Sequence, residues 1–430
     1  MQIIELIEAT GAKVLTEVDK DLDVKISTDT RTIQKGDFYL PLKGSSFDGE
    51  KFINQAFEKG AIGAFCTGDN GTLQVQNTLT AYLQLANYRR KKLNFTVVAI
   101  TGSSGKTTTK ELAASVLSEK FRTFKTPLNH NNEIGFCQTI FEAPDDTKIL
   151  VLEMGMRGLG EIELLSKYAE PDITIISNVG TAHIGRLGSR ENIAKAKCEI
   201  VKYQRGNIFI AHDDELIKKT VQFSGKKIFY SIKDVKILEK DTHYSKFEYY
   251  GNIYELNVGG DYNIENALSA INTGLALGMK VDEIQSGLKK YAPIEKRWEA
   301  VNAGGFEIIN DSYNANPESM RAFIDTIFEL YEKPVVILGD MGELGEDEIK
   351  YHSELGKYIN SHKNLRQDAE ILSIGKLSKY ITDEVKNCPA KHFKTIEQAA
   401  AYLKNKDTKV QLFLKASRSM KFERIIEELK

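Results

Sequence analysis

A glycine-bounded loop that ends in lysine and threonine is the stretch best suited to chemistry. Residues 95–109 read FTVVAITGSSGKTTT, an apolar run followed by a polar loop and the helix-like KELAASVL. The loop residues are Gly102, Ser103, Gly105, Lys106, Thr107 and Thr108. Glycines let backbone N–H groups surround phosphates, a helix N-terminus adds positive potential, and the threonine hydroxyl suits Mg²⁺. The pattern predicts a nucleoside triphosphate site, although Ile100 stands where the general G-x-x-x-x-G-K loop has glycine.

Two further polar residues follow apolar runs. Glu153 ends KILVLE and His183 follows DITIISNVGTA. Ligands of open parallel sheets collect at the carboxyl ends of strands, so Glu153 is a natural second metal ligand. His183 either ligates a cation or orients a carboxylate, and a lone histidine is also often structural.

Three other positions and one segment leave alternatives open. Lys197 in ENIAKAKCEI is by spacing alone a solvated lysine, like Lys195. Asn266, near the start of an alanine-rich helix, either caps that helix or reads an adenine edge. Arg297 stands at a domain joint, where it either reaches a nucleotide or forms a surface ion pair. The segment LKASRSM, 414–420, either binds an anion at a helix N-terminus or caps that helix in the ordinary way.

Apolar runs that alternate with helical patterns must position these residues. The runs FTVVAI, KILVLEMG, DITIISNVG and NIFIAHDD lie in the centre, and FEIINDS, PVVILGDMG, ILSIG and QLFLKAS lie near the end. Such alternation predicts two parallel, helix-covered sheets. The predicted fold is α/β with a central P-loop domain (94–295), a small N-terminal α/β domain (1–93) and a Rossmann-like C-terminal domain (296–430). Asn316 and Pro317 predict the start of a helix.

Composition excludes several classes of protein. The 430 residues include 58 Lys+Arg against 60 Asp+Glu, so there is no basic surplus for nucleic acid. MQIIELIEATGAKV does not resemble a signal peptide, and no apolar run is long enough to cross a membrane. The four cysteines are scattered. We expect a cytoplasmic protein without metal-cysteine sites or disulfides.

Together these segments resemble the Mur ligases, ATP-dependent amide ligases that build the peptide of bacterial cell-wall precursors. TGSSGKTTT is similar to their TGTNGKT-type loop, which accounts for Ile100. ENIAKAKCEI is similar to E-x-I-A-x-A-K-x-E, and GGDYNIENALSA to G-x-H-N-x-x-N-A. LNHNNEIG, DSYNANPESM, LGDMGELG and LKASRSM resemble the branch that adds D-alanyl-D-alanine. STDTR (27–31) and LKGSSFDGEKFI (42–53) resemble its uridine-diphosphate site.

The resemblance implies a reaction of ATP, UDP-MurNAc-tripeptide and D-Ala-D-Ala, carried out by a monomer in a bacterial cytoplasm, with no membrane insertion. It implies catalytic roles for Lys106, His183 and Lys197, and two Mg²⁺ ions on Thr107, Glu153, His183 and a carbamylated Lys197. ATP contacts would come from the loop residues with Asn266, Arg297 and Asp311. Substrate contacts would come from Thr28, Asp29, Arg31, Lys43, Gly44, Asp48, Asn131, Asn132, Asn314, Ala315 and Asn316.

Three residues depart from the family pattern. Tyr262 replaces the histidine of G-x-H-N, Asn310 replaces an acidic residue, and Cys137 replaces a proline. No phosphate or metal residue is lost, so we expect an active enzyme. The alternatives are a sister Mur ligase, a folylpolyglutamate-synthase-like ligase or a nucleotide-binding module without catalysis.

Overall fold

A computed structural model describes residues 1–44 and 47–430. Its helices are α1 (Ile3–Thr10), α2 (Ile53–Glu58), α3 (Thr78–Leu93), α4 (Lys106–Leu117), α5 (Glu133–Glu142), α6 (Glu161–Ala169), α7 (Ile184–Leu187), α8 (Arg190–Cys198), α9 (Glu215–Thr220), α10 (Asp261–Ala276), α11 (Val281–Lys290), α12 (Pro317–Leu330), α13 (Glu348–Asn360), α14 (Lys379–Glu384), α15 (Ile396–Leu403) and α16 (Glu423–Leu429).

The strands alternate with these helices. They are β1 (Lys13–Val14), β2 (Ile26–Ser27), β3 (Phe38–Tyr39), β4 (Gly63–Cys66), β5 (Leu73–Gln74), β6 (Thr96–Thr101), β7 (Thr123–Lys125), β8 (Ile149–Glu153), β9 (Ile173–Ile176), β10 (Ile208–His212), β11 (Lys226–Tyr230), β12 (Lys236–Lys240), β13 (Ser245–Tyr249), β14 (Asn252–Leu256), β15 (Glu299–Ala303), β16 (Phe306–Asn310), β17 (Val335–Gly339), β18 (Glu370–Ile374), β19 (Ala390–Phe393) and β20 (Leu412–Lys415).

The chain forms two compact units. The first comprises residues 1–95 and 126–148, and the second comprises 96–125 and 149–430. The first unit holds a five-stranded sheet in the order β1-β5-β4-β3-β2, with only β1 antiparallel to its neighbour. Its helix α3 begins where Asn77 accepts a hydrogen bond from the N–H of Thr80, and ends at Asn94 in a left-handed conformation.

The second unit contains the predicted P-loop sheet. Its six strands are parallel, in the order β11-β10-β9-β6-β8-β7. The strands β8 and β9 are wholly buried, and their nearly continuous apolar sequences, interrupted only by Glu153 and Thr174, suit a sheet covered on both faces. Helices α4 and α10 pack together over this sheet. The centrally placed β6 carries the glycine loop at its carboxyl end.

A small antiparallel sheet, β12-β13-β14, follows the P-loop sheet in the chain. Alternate residues of β13, Ser245, Phe247 and Tyr249, are buried, while Lys246 and Glu248 are less so. The sequence analysis did not predict this sheet because three five-residue strands give a short pattern that is easily read as loop.

The last sheet has the order β15-β16-β20-β17-β18-β19, in which only β15 runs antiparallel to its neighbour. Helix α12 begins as predicted: Asn316 accepts a hydrogen bond from the N–H of Ser319, and Pro317 is the first helical residue. The predicted α/β fold with mostly parallel sheets is therefore confirmed. The exact domain boundaries stay predictions. Among the described residues, no helix is long and apolar enough to span a membrane.

Candidate active site

The glycine loop joins β6 to α4 by close backbone packing. A Cβ on Gly102 would lie 1.8 Å from the hydroxyl oxygen of Ser177, and one on Gly105 would lie 2.5 Å from Oδ1 of Asn266. Gly105 also has a φ of +75°, which favours glycine. The ammonium of Lys106 folds back and donates to the carbonyl oxygen of Gly102 at 2.9 Å. The loop thus has the compact form that a phosphate-binding turn needs.

Asn178 braces the first half of this loop. Its Oδ1 accepts hydrogen bonds from the N–H groups of Ser103 and Ser104 at 3.1 and 3.0 Å. The Ser103 hydroxyl in turn accepts from the N–H of Gly180 at 2.9 Å. The sequence analysis missed Asn178, although it follows an apolar strand just as Glu153 and His183 do. Its side chain ties the loop to the segment that carries His183.

Glu153 ends β8 beside β6, where its backbone is paired with Ile100. Its buried carboxylate lies 3.9 Å from the ammonium of Lys110, which also lies 3.1 Å from the carboxylate of Glu111. Lys110 follows Lys106 by one helical turn on α4. Lys110 was not predicted from the sequence. Its buried positive charge lowers the free-energy cost of burying the Glu153 carboxylate.

Lys197 lies on α8 and is only 1% exposed. In the described part of the chain no carboxylate forms an ion pair with it. Burial, and secondly the charge of Lys106, lower its pKa well below the ordinary lysine value. Burial also lowers the pKa of Lys106. The prediction from spacing of a solvated Lys197 is wrong, because the helix turns this lysine inward while Lys195 stays exposed.

Arg297 reaches the loop from the joint before β15. Its Nη2 donates to the hydroxyl of Thr107 at 2.9 Å, and its guanidinium lies 3.9 Å from the ring centroid of Tyr313. Lys296 and Trp298 on either side adopt positive φ angles of 63° and 55°. The buried Nε of Arg297 has no hydrogen-bond partner in the part of the chain that the structure describes. The strained backbone on either side of Arg297 thus directs its guanidinium at the hydroxyl of Thr107, which is predicted to bind Mg²⁺. The Nε–H of this guanidinium can still donate a hydrogen bond.

Asn266 and Asp311 make protein contacts. The amide oxygen of Asn266 accepts from the Thr109 hydroxyl at 3.2 Å, so this residue packs on the loop rather than capping α10. The Asp311 carboxylate accepts from Lys415 at 2.5 Å and from the N–H of Trp298 at 3.2 Å. Lys415 therefore fixes Asp311 beside the joint.

The residues after Asp311 are held close to it. Asn314 accepts from the N–H of Ala315 at 2.9 Å, Asn316 caps α12, and the carbonyl oxygen of Asn314 accepts from Lys415 at 3.3 Å. Tyr262, which stands where the family pattern has histidine, packs edge-on against Trp298, and its hydroxyl has no hydrogen-bond partner within the described ranges.

The predicted uridine-diphosphate residues lie in the first unit. Asp29 pairs with Arg31, whose hydrogen bonds lower the pKa of the Asp29 carboxyl to about 2. Lys43 lies 3.5 Å from Asp48, and the N–H of Gly44 donates to Phe47. Thr28 is half-buried at the end of β2. Ser45 and Ser46 of the same motif lie outside the described residues.

Asn131 and Asn132 also lie in the first unit. Asn132 begins α5, where its side chain accepts from the N–H of Gly135 at 2.9 Å. A Cβ on Gly135 would lie 2.4 Å from the backbone of His130, so the LNHNNEIG turn depends on this glycine.

The residues predicted to hold metal have suitable chemistry. Thr107 offers a hydroxyl at the start of α4, Glu153 a buried carboxylate, and His183 an imidazole after β9. Oxygen ligands are those that Mg²⁺ prefers. In residues 1–44 and 47–430, however, no three His, Cys, Asp or Glu side chains form a ready-made metal cluster. A metal here would need the hydroxyl, the phosphates or a modified Lys197 as well.

The LGDMGELG loop after β17 rests on a buried histidine. The N–H of Met341 donates to Nε2 of His352 at 2.9 Å, while Nδ1 lies 2.6 Å from the carbonyl oxygen of Glu348. His352 must therefore be neutral, with its proton on Nδ1. Burial lowers its pKa below the ordinary value of 6.5.

Comparison with known proteins identifies related sequences over nearly the whole chain. The family description "Mur ligase middle domain" matches residues 100–274, and "Mur ligase, glutamate ligase domain" matches 296–418. The UDP-N-acetylmuramoyl-tripeptide–D-alanyl-D-alanine ligase of Bacillus subtilis (strain 168) is 36% identical, over 94% of this chain and 92% of its own.

Solved structures give the same relationship. MurF from Acinetobacter baumannii superposes with a TM-score of 0.89 at 28% identity, covering 100% of this chain and 98% of its own. MurF from Thermotoga maritima in complex with ADP superposes with a TM-score of 0.84 at 28% identity, covering 96% of this chain and 98% of its own.

Asn178→Ala should weaken nucleotide binding because it removes the acceptor of two loop N–H groups. At about 0.5–1.5 kcal/mol for each hydrogen bond, we expect an ADP dissociation constant raised about tenfold, measured by calorimetry. The exposed Asn54→Ala is the control. An unchanged ADP affinity in Asn178→Ala would contradict the bracing role.

Acidification should destabilise the fold through His352. Its pKa is lowered in the folded state, so its contribution is complete above the unfolded value of 6.5 and is lost as pH falls through the folded value. Urea unfolding between pH 7.5 and 5 should therefore show a steeper loss of stability in wild type than in His352→Gln. Equal slopes would argue against this role.

Proposed function

The chain belongs to the Mur ligase family, and we propose that it joins D-alanyl-D-alanine to UDP-N-acetylmuramoyl-tripeptide, with conversion of ATP to ADP and phosphate. The likeness to ligases of this activity along almost the entire chain carries the proposal. The positions of Lys106 and Arg297 at the glycine loop supply the matching chemistry, since a transferring phosphoryl group is anionic.

Activation of the acceptor requires phosphate because a carboxylate does not expel oxide when an amine attacks it. The tripeptide carboxylate attacks the γ-phosphorus and ADP leaves, which forms an acyl phosphate. The dipeptide amine then attacks the acyl carbon, loses a proton, and phosphate leaves as the amide forms. Lys106 and Arg297 offset negative charge on the transferring group, and exclusion of water protects the acyl phosphate from hydrolysis.

Two Mg²⁺ ions are part of this proposal, with Thr107, Glu153, His183 and a carbamylated Lys197 as ligands. When bound, they would polarise phosphoryl oxygens and screen their charge. The buried Lys197 suits carbamylation because only the neutral amine attacks carbon dioxide, and burial favours that form. Its nitrogen would bond to the carbon and release a proton, leaving a carboxylate-like group whose charge Lys106 would balance.

The remaining predicted sites divide among the three substrates. We assign the UDP moiety to Thr28, Asp29, Arg31, Lys43, Gly44 and Asp48, with Asn131 and Asn132 nearby. The DSYNANP residues Asn314, Ala315 and Asn316 would face the incoming dipeptide, and Asn266, Arg297 and Asp311 the nucleotide. The enzyme would act as a cytoplasmic monomer on small molecules.

Lys106→Ala should lower turnover by at least about 10²–10³-fold, the usual cost of removing one group that stabilises transition-state charge. Phosphate release from ATP with all substrates present measures this loss. Lys195→Ala, an exposed lysine of α8, is the matched control and should retain wild-type rates. Activity of Lys106→Ala within tenfold of wild type would remove this lysine from the mechanism.

The substrate is tested by ATP-dependent phosphate release with UDP-MurNAc-tripeptide, in the presence or absence of D-Ala-D-Ala. We expect release only with the dipeptide, and a product heavier by that dipeptide in mass spectrometry. Release with single amino acids would instead indicate a sister Mur ligase, and release with folates and glutamate a folylpolyglutamate-synthase-like enzyme.

A further inference from the structure

Two loops of the second unit touch each other through their backbones. One is the His183 loop, residues 180–188 after β9, and the other is the DMGELG loop, residues 340–345 after β17. The N–H of Gly185 donates to the carbonyl oxygen of Glu343 at 3.3 Å. A Cβ on Gly185 would lie only 2.5 Å from the backbone nitrogen of Gly345. This approach is possible only because both positions are glycine.

The same contact brings two functional side chains together. The Nδ1 of His183 lies 2.6 Å from Oε2 of Glu343, within ion-pair distance, although the two groups are not aligned as a hydrogen bond and Nδ1 has no other partner among the described residues. Both residues have positive φ angles, 66° and 61°, which residues with side chains rarely adopt. Positive φ angles at both partners of one contact cost free energy, and they persist only where the surrounding structure holds both residues in place.

The side chain of Glu343 is 49% exposed, so simple attraction between charges would contribute little to this contact. The value of the contact must therefore lie in the orientation that it gives to the imidazole.

A second carboxylate touches the His183 loop in the same way. Glu318, in the first turn of α12, accepts a hydrogen bond from the Thr181 hydroxyl at 2.8 Å. A Cβ on Gly180 would lie 2.8 Å from the Glu318 carboxylate. One carboxylate thus contacts this loop at Thr181 and another contacts it at His183, and they come from α12 and from the segment after β17.

We propose that Glu343 is a positioning residue that holds the His183 imidazole by Nδ1, so that Nε2 is left to bind the metal at the phosphoryl-transfer site. Metal-ligating histidines almost always donate their other ring N–H to a carboxylate, carbonyl or water, which fixes the tautomer and orients the ring. The role rests on the proposed function of His183. It gives the DMGELG loop a direct part in assembling the nucleotide site.

Metal binding tests this role without the sugar or dipeptide substrates. Mn²⁺ is titrated into protein saturated with β,γ-methylene-ATP and followed by electron paramagnetic resonance. Glu343→Ala should raise the dissociation constant of a Mn²⁺ ion by about 10–100-fold, the usual cost of losing such a partner. Glu343→Gln, whose amide oxygen still accepts from Nδ1–H, should stay within about threefold of wild type, a shift of under 1 kcal/mol.

A control variant and a double-variant comparison test whether the loss of Mn²⁺ affinity arises from the contact between Glu343 and His183. Glu346→Gln changes an exposed carboxylate three residues away and should bind Mn²⁺ as wild type does. His183→Ala should cause a loss similar to Glu343→Ala, and the double variant should lose no more than either single one. Unchanged Mn²⁺ affinity in Glu343→Ala, equal loss in Glu343→Ala and Glu343→Gln, or additive losses would each overturn the proposal.

A backbone variant probes the same contact without altering any charge. Gly185→Ala places a methyl group against Gly345 and should also weaken Mn²⁺ binding, while Gly342→Ala, whose Cβ would lie 3.9 Å from its nearest neighbour, should not. Equal Mn²⁺ affinities in these two variants would count against the contact. Failure of the proposed substrates to react would leave all these binding measurements intact, so the two hypotheses can fail separately.

Discussion

The candidate site depends on basic side chains that lie close together at the glycine loop. Burial and the nearby charge of Lys106 favour the neutral form of Lys197, which forms no ion pair in the described part of the chain. Arg297 adds a buried guanidinium nitrogen that finds no hydrogen-bond partner among the described residues. Burying a charge costs free energy unless the charge is paired. An anionic ligand at Lys106 and Arg297 reduces this cost, so the site is suited to bind polyphosphate.

Close backbone packing keeps these cations in place. Gly102 and Gly105 let the loop lie against Ser177 and Asn266, and Gly185 and Gly345 let two other loops meet. At each position a side chain would force the backbones apart. These glycines therefore have two roles. Gly102 and Gly105 allow the phosphate-binding turn, and Gly185 and Gly345 allow the contact between a loop after the P-loop strand β9 and a loop after β17 of the last sheet.

Much of the fold and part of the site could be predicted from the sequence. The apolar runs predicted β6, β8 and β9 because buried parallel strands have nearly continuous apolar sequences. Asn316 and Pro317 predicted the start of α12. The small antiparallel sheet β12-β13-β14 was not predicted, since its strands are short. Lys197 needed the family resemblance, because spacing cannot tell which face of a short helix is inward.

The missed site residues share a physical reason. Asn178, Lys110 and Glu343 act on other residues of the site rather than on a ligand, and such roles depend on distances across separate elements. Asn178 follows β9 and reaches the glycine loop, whereas Glu343 follows β17 and reaches His183. Polar residues after buried strands thus include the supports of a site as well as its ligands. Their role becomes visible only when the sheets are placed together, because no periodic pattern in one segment records a contact with another.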